Sequence, residues 1–159
     1  MKPTPTPAFS LSDLKKALPI QGWEDFWAEG KAFLKTASAA FGGHKKAFTT
    51  VILYNIIAMA IEKFVMATLM FRGKLPYNHT MKDLVEAMDE VFPGAMTGIR
   101  EGLLNLDQYQ EICDVDTFNI TGPAMAEIPV MLDLAGRLQD LVEQQLGVGE
   151  NEDTHCSIC

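Results

Sequence analysis

A short run of residues after the most apolar part of the chain carries the side chains best suited to chemistry. Arg72, Lys74 and His79 lie close together in the sequence, and Pro76 restricts the backbone between them. Two cations and an imidazole can hold an anion such as phosphate. A helix is expected to begin just beyond His79, and its positive N-terminal end would favour the same anion. The sequence therefore predicts ligand binding at this loop by Arg72, Lys74 and His79.

The same cations also have a purely structural explanation. Arg72 and Lys74 follow the C-terminal end of a predicted helix, where positive side chains keep the helix end solvated and complement its negative dipole. A histidine at the start of a helix often serves as a cap or a packing residue. The sequence leaves the two interpretations open.

The apolar run before this loop spans 21 residues from Val51 to Phe71, which is long enough to cross a bilayer. Glu62 and Lys63 interrupt it near its middle, and each would cost about 2.5–3.5 kcal/mol at the centre of a membrane helix. The pattern therefore favours a central helix in the core of a bundle over a membrane span. Glu62 and Lys63 are then structural residues that need partners or water.

This helix is apolar on more than one face. At 100° per residue one line runs through Met59, Glu62 and Met66, and a second line runs through Ala60, Phe64 and Phe71. Two apolar faces need two covering layers, and a second protomer is a natural source of one of them. We therefore expect a homodimer.

The rest of the chain carries the helix-start and helix-stop signals of a helical domain. Capping residues, glycine pairs and prolines predict an all-α, antiparallel bundle of four to five helices. Thr80 precedes Asp83 with the spacing of a capping box, which places a helix start at Met81. Pro129 either kinks the last helix or marks its true start. The expected elements are helices at 10–18, from Trp23 to Gly42, 45–72, from Met81 to Pro93, 95–113 and within 123–146.

The domain limits follow from composition. Residues 1–9 read as a proline-rich lead-in, residues 10–146 as one helical domain, and residues 147–159 as a disordered acidic tail. The composition, 48% hydrophobic and 21% charged, suits a globular protein. No apolar leader follows Met1, and three cysteines cannot form a full disulfide framework, so a cytoplasmic protein is expected.

The net charge of −8 is unevenly distributed. Residues 1–82 hold 11 Lys and Arg against 5 Asp and Glu, whereas residues 83–159 hold 2 against 16. An acidic protein is not expected to coat nucleic acid. A local basic patch remains open, and its members are Lys31, Lys35, His44, Lys45, Lys46, Arg72, Lys74 and Lys82.

Two candidate metal sites are weak. Asp114 and Asp116 begin a run similar to a calcium loop, but Phe118 fills a ligand position and Asn119 replaces the turn glycine. His155, Cys156 and Cys159 supply soft ligands without the second half of a zinc site. We therefore expect no metal and no cofactor.

The stretch from Glu62-Lys63 through Ala67, Leu69, Arg72 and Gly73 to Pro76, His79 and Met81 resembles the HEPN domain, the higher eukaryotes and prokaryotes nucleotide-binding domain. The match covers about 20 residues, and the order of the predicted helices extends the likeness to most of residues 23–146. Met66 stands where a second lysine is common. The segment after Asp107 lacks the Tyr- and Arg-rich loop of many members of that family.

The resemblance implies a helical bundle that dimerises and acts as a non-catalytic binding or regulatory module. Its expected ligand is a nucleotide, or its expected partner is a nucleotidyltransferase in a toxin–antitoxin-like setting. Some members of the family are metal-independent ribonucleases that use an Arg and a His separated by four to six residues. Arg72 and His79 fit that spacing, so an RNA-cleaving enzyme is the alternative, with His79 as general acid/base and Arg72 stabilising the charge on phosphorus. A purely structural oligomer is the third interpretation.

Overall fold

A computed structural model describes residues 18–113 and 122–148 of the chain, except for the side chains at 111–113. These residues form five α-helices and one 3-10 helix and contain no strand, which confirms the predicted all-α fold. The lead-in lies outside the described residues, and so do nearly all of the expected helix at 10–18 and most of the acidic tail. The helices are α1 Trp23–Gly42, α2 Thr50–Phe71, α3 Met81–Val91, α4 Arg100–Asn105, a 3-10 helix Leu106–Cys113, and α5 Ile128–Leu146.

The helices α1 and α2 form an antiparallel hairpin. The Trp23 ring packs edge-on against Phe71, at the start of α1 and the end of α2, with ring centroids 5.1 Å apart. Further along α1 and further back along α2, the rings of Trp27 and Phe64 lie 5.3 Å apart. The helix α2 is the central one, because α1, α3 and α5 all pack against it.

The hairpin is close at Gly30, which allows a matched test of its packing. A Cβ at Gly30 would lie 2.7 Å from the Phe64 ring, whereas a Cβ at Gly136 in α5 would meet nothing within 4 Å. Alanine is favoured over glycine in a helix by about 1 kcal/mol. We therefore expect Gly136→Ala to stabilise the protein and Gly30→Ala to destabilise it, as measured by urea unfolding. Stabilisation by both changes would contradict the close approach of α1 and α2.

Two helix starts differ in how well they were predicted. The helix α2 begins at Thr50 and not at Lys45, because the Thr49 hydroxyl accepts a hydrogen bond from the Ile52 N–H at 3.3 Å and so forms the cap. The Lys45 N–H instead bonds to the Ala40 carbonyl at 3.2 Å and closes the end of α1. The predicted start of α3 at Met81 is confirmed, with Thr80 as its cap.

The predicted helix at 95–113 is wrong in its first part. Residues 94–99 form turns, since Gly94 has a φ of +76°. The helix α4 begins only at Arg100, whose Nε donates to Asp89 Oδ2 at 2.8 Å and ties α4 to α3. Pro129 marks the true start of α5, in the first turn, where a proline removes no helical hydrogen bond.

The apolar faces of α2 are largely covered within the chain. Met66 and Leu69 are 7% and 0% exposed, so their side of the helix needs no second protomer. Ile52 and Met59, in the first half of α2, are each 42% exposed. A second protomer would therefore have to cover that half of α2. The helix is long and apolar enough to cross a membrane, but half of its apolar window is buried in the fold.

Candidate functional site

A pocket of about 380 Å³ opens between α2, the start of α3 and the 3-10 helix. Its apolar wall consists of Ala58 and Met59 from α2 and of Met81 and Leu84 from α3. Met81 and Leu84 are buried and fixed in the core, whereas Met59 stands at the open side. The volume lies within the range of small-molecule sites.

Glu62 and His79 form a pair that lines this pocket. His79 Nδ1 lies 2.7 Å from Glu62 Oε1, and the side chains are 60% and 35% exposed respectively. Because a carboxylate only accepts, the Nδ1–H group donates, and the Nε2 atom of the imidazole is left for another partner. Glu62 is therefore both paired and within reach of water, which meets the requirement of a carboxylate in this apolar helix.

Two amide side chains complete the polar part of the pocket. Gln110 Oε1 accepts a hydrogen bond from the Met81 N–H at 2.9 Å, which holds the 3-10 helix against the start of α3. The Gln110 NH2 group then has no partner among the described residues. Asn55 lines the pocket from an exposed position on α2. An amide carries both donors and an acceptor, so these residues can read the polar edge of a ligand.

Two tyrosines brace the wall between the pocket and α5. The rings of Tyr54 and Tyr109 lie 5.3 Å apart, and the Tyr54 hydroxyl donates to the Leu106 carbonyl at 3.1 Å. The Tyr109 hydroxyl donates to Glu127 Oε1 at 2.7 Å, just before α5 begins. The pocket wall is therefore tied to the first residue of the 3-10 helix and to the residue that precedes α5.

This anchor gives a pH-dependent prediction. The hydrogen bonds from the Tyr109 hydroxyl and the Ala124 N–H lower the pKa of Glu127 below its ordinary value of 4.5. A lowered pKa in the folded state means that the carboxylate stabilises the fold above pH 4.5 and loses this contribution as the pH falls through the folded-state pKa. We expect Glu127→Gln to melt at a lower temperature than wild type at pH 7, and this gap to narrow progressively as the pH is lowered below 4.5. A gap that does not narrow with falling pH would contradict this role.

The start of α3 is less open to anions than its sequence suggests. Its first three backbone N–H groups are already bonded to side chains. The acceptors are Gln110 Oε1 at 2.9 Å, Asp107 Oδ2 at 3.2 Å and Thr80 Oγ1 at 3.1 Å. These amides are therefore not available to a phosphate in this conformation.

The predicted site residues do not gather in one place. The Arg72 guanidinium lies over the Phe92 ring, 4.9 Å from its centroid, at the C-terminal end of α3, whereas His79 precedes the N-terminal end. The 11 residues of α3 separate these ends by about 16 Å at 1.5 Å per residue. Lys74 is exposed, and its backbone N–H bonds to the Leu69 carbonyl at 2.8 Å. The structure thus joins His79 to Glu62 and keeps it apart from Arg72.

Lys63, predicted as structural, joins α2 to α1. Its Nζ lies 2.5 Å from Glu29 Oε2 and 4.2 Å from the centroid of the Phe26 ring. The lysine therefore lies between a carboxylate and an aromatic face, and its role is in the hairpin and not in the pocket.

Four pocket residues with hydrogen-bonding side chains were missed by sequence reasoning. Asn55 was visible as a polar residue inside an apolar helix, and that anomaly could have identified it. Tyr54, Tyr109 and Gln110 gave no such signal, because they reach the pocket only when the 3-10 helix folds back on α2 and α3.

Within residues 18–113 and 122–148 no group of three or more His, Cys, Asp or Glu side chains could hold a metal ion. The calcium-like run at 114–119 and the His155, Cys156 and Cys159 cluster lie outside the described residues. No protein-family model, no curated protein and no solved structure matches the chain.

Proposed function

We propose that this protein is a HEPN-like, non-catalytic nucleotide-binding module whose pocket between α2, α3 and the 3-10 helix takes the base of the nucleotide. The observation that carries the proposal is the make-up of the pocket. It combines an apolar wall of Met81 and Leu84 with two amides and the Glu62–His79 pair. A nucleobase has the matching character, with flat apolar faces and an edge of donors and acceptors.

The proposal assigns base recognition, and not phosphate recognition, to the pocket. No Arg or Lys is among the described residues that line it, and Glu62 would repel a phosphate at its side. Asn55 and the Gln110 NH2 group offer donors to the base, and the Asn55 carbonyl and Glu62 offer acceptors. We therefore expect a nucleoside and its triphosphate to bind with similar affinity.

Binding without catalysis fits the positions of the two residues that the ribonuclease alternative requires. Arg72 lies over Phe92 and His79 bonds to Glu62, at opposite ends of α3. A phosphate at His79 would not meet the Arg72 guanidinium. RNA cleavage is therefore left out of the proposal.

The proposal extends to the assembly that the HEPN resemblance implies, a homodimer that acts beside a nucleotidyltransferase. Its support is the exposed apolar side chain of Ile52 in the first half of α2. We expect the protein to sediment as a dimer at micromolar concentration and Ile52→Lys to sediment as a folded monomer. A wild-type monomer would remove the dimer from the proposal and leave the pocket untouched.

The same substitution, asparagine to alanine, tests the pocket when it is made at two different positions. Asn55 and Asn105 are both exposed, but only Asn55 lines the pocket. We expect Asn55→Ala to weaken nucleoside binding by about ten- to a hundredfold, because a lost hydrogen bond leaves the ligand's polar edge unpaired. Asn105→Ala should bind as wild type does. Calorimetric titration with a panel of nucleosides measures both, and equal affinities for the two variants would contradict the proposal.

A further inference from the structure

A second pocket, of about 400 Å³, lies on the other side of the Thr49 cap, where the α1–α2 loop meets the chain before α5. Its floor is apolar and is formed by Phe41, Phe48 and Leu53, with Met125 at the mouth. Leu53 is 2% exposed and Met125 is 55% exposed, so the pocket runs from the core to the surface.

Three basic side chains line the same pocket. His44, Lys45 and Lys46 are consecutive, and all three are exposed. Among the described residues Lys45 and Lys46 make no ion pair. The adjoining first turn of α2 carries no acidic residue that would repel an anion. In a protein with a net charge of −8, this is a local site of opposite sign.

The basic residues are not needed to complete the end of α1. Backbone N–H groups of the loop already bond to the last carbonyls of that helix, at 3.0 Å from Gly43 to Ala39 and at 3.2 Å from Lys45 to Ala40. The two ammonium groups are therefore left to solvent or to a ligand. They remain charged at neutral pH and attract anions at the pocket mouth.

We infer that this pocket binds an amphiphilic anion, a single-chain carboxylate of the fatty-acid type, with its chain on the apolar floor and its carboxylate at Lys45 and Lys46. Among the described residues the lining contains no Asn or Gln to read a base edge, and the Thr49 hydroxyl already accepts the Ile52 N–H. A nucleotide would therefore leave its base edge unpaired here. The concave apolar floor does not match the charged phosphate backbone of a nucleic acid. The binding free energy of an alkyl chain, in contrast, becomes more favourable with every methylene group that it buries there.

The head group is tested with ligands of one chain length and different charge. Decanoate, below its micelle concentration, and 1-decanol are titrated into the full chain by calorimetry. We expect decanoate to bind at least about tenfold more tightly than decanol, and this preference to shrink as salt is added. In the double variant Lys45→Gln, Lys46→Gln the preference for decanoate should disappear. The double variant Lys31→Gln, Lys35→Gln removes the same charge outside the pocket and should keep the preference for decanoate.

The position of the chain is tested by the methionine methyl groups. In protein labelled with 13C-methyl methionine, decanoate should shift the Met125 signal and leave the Met59 and Met81 signals of the other pocket unchanged. Equal binding of decanol and decanoate, no binding of either, preferred binding of ATP or of an acidic peptide, or shifts at Met59 in place of Met125 would each overturn the inference. A negative result for decanoate does not affect the proposed function, because nucleoside binding is detected from the Met59 and Met81 signals.

Discussion

Phe64→Ala should lower the free energy of unfolding by about 3–5 kcal/mol, the usual loss for a buried phenylalanine. The Phe64 side chain is 0% exposed, lies 5.3 Å from the Trp27 ring between centroids, and faces Gly30 across the hairpin. Removing the ring leaves a cavity that the neighbouring glycine has no side chain to fill. Urea unfolding followed by tryptophan fluorescence measures the loss.

Phe26→Ala is the matched control for this prediction. Phe26 is half-buried at the edge of the same hairpin, beneath the Lys63 ammonium. We expect its loss to be clearly the smaller of the two, because water already reaches the ring. Equal losses for the two variants would mean that the centre of the core does not lie between α1 and α2.

The second large effect is expected at the pocket. Ala58→Trp places an indole where the proposed base would lie, since Ala58 lines the pocket from α2 and is only half-buried. We expect nucleoside affinity to fall at least about a hundredfold, which corresponds to about 2.7 kcal/mol of binding free energy. Calorimetric titration measures the affinity, and circular dichroism melting checks that the variant is folded.

Ala32→Trp is the control for bulk on a helix. Ala32 is exposed on α1, does not line the pocket, and carries the same substitution. Its nucleoside affinity should equal that of wild type. If Ala58→Trp unfolds, Asn55→Trp fills the pocket from an exposed position and serves the same test. Undiminished binding in a folded pocket variant would show that the ligand lies elsewhere.

The helices themselves followed from local patterns. The stripe from Trp23 to Phe41 predicted α1, and the Thr80–Asp83 spacing predicted the start of α3, because capping and amphipathic periodicity act within one or two turns. The start of α2 was misplaced by five residues, from Lys45 to Thr50. The Thr49 cap is a local signal too, and it marks the start of α2 more closely than the charged residues before it.

The candidate site was only partly predictable, for a physical reason. His79 was identified from its residue type and its position beside a helix start. Its partner Glu62 lies 17 positions away in the sequence, and Gln110 reaches Met81 across 29 positions. Such contacts depend on how the loop after α2 and the 3-10 helix pack against the bundle. Spacing in the sequence suggested Arg72 as the companion of His79, whereas the length of α3 separates them.

The most direct test of base binding between α2 and α3 is a nucleoside titration of the full chain labelled with 13C-methyl methionine. Met59 and Met81 line this pocket, Met125 lines the other, and Met131 is buried in α5. We expect at least one nucleoside to shift the Met59 and Met81 methyl signals to saturation while Met125 and Met131 stay in place. Unchanged signals at Met59 and Met81 with every nucleoside in the panel would contradict the proposed function.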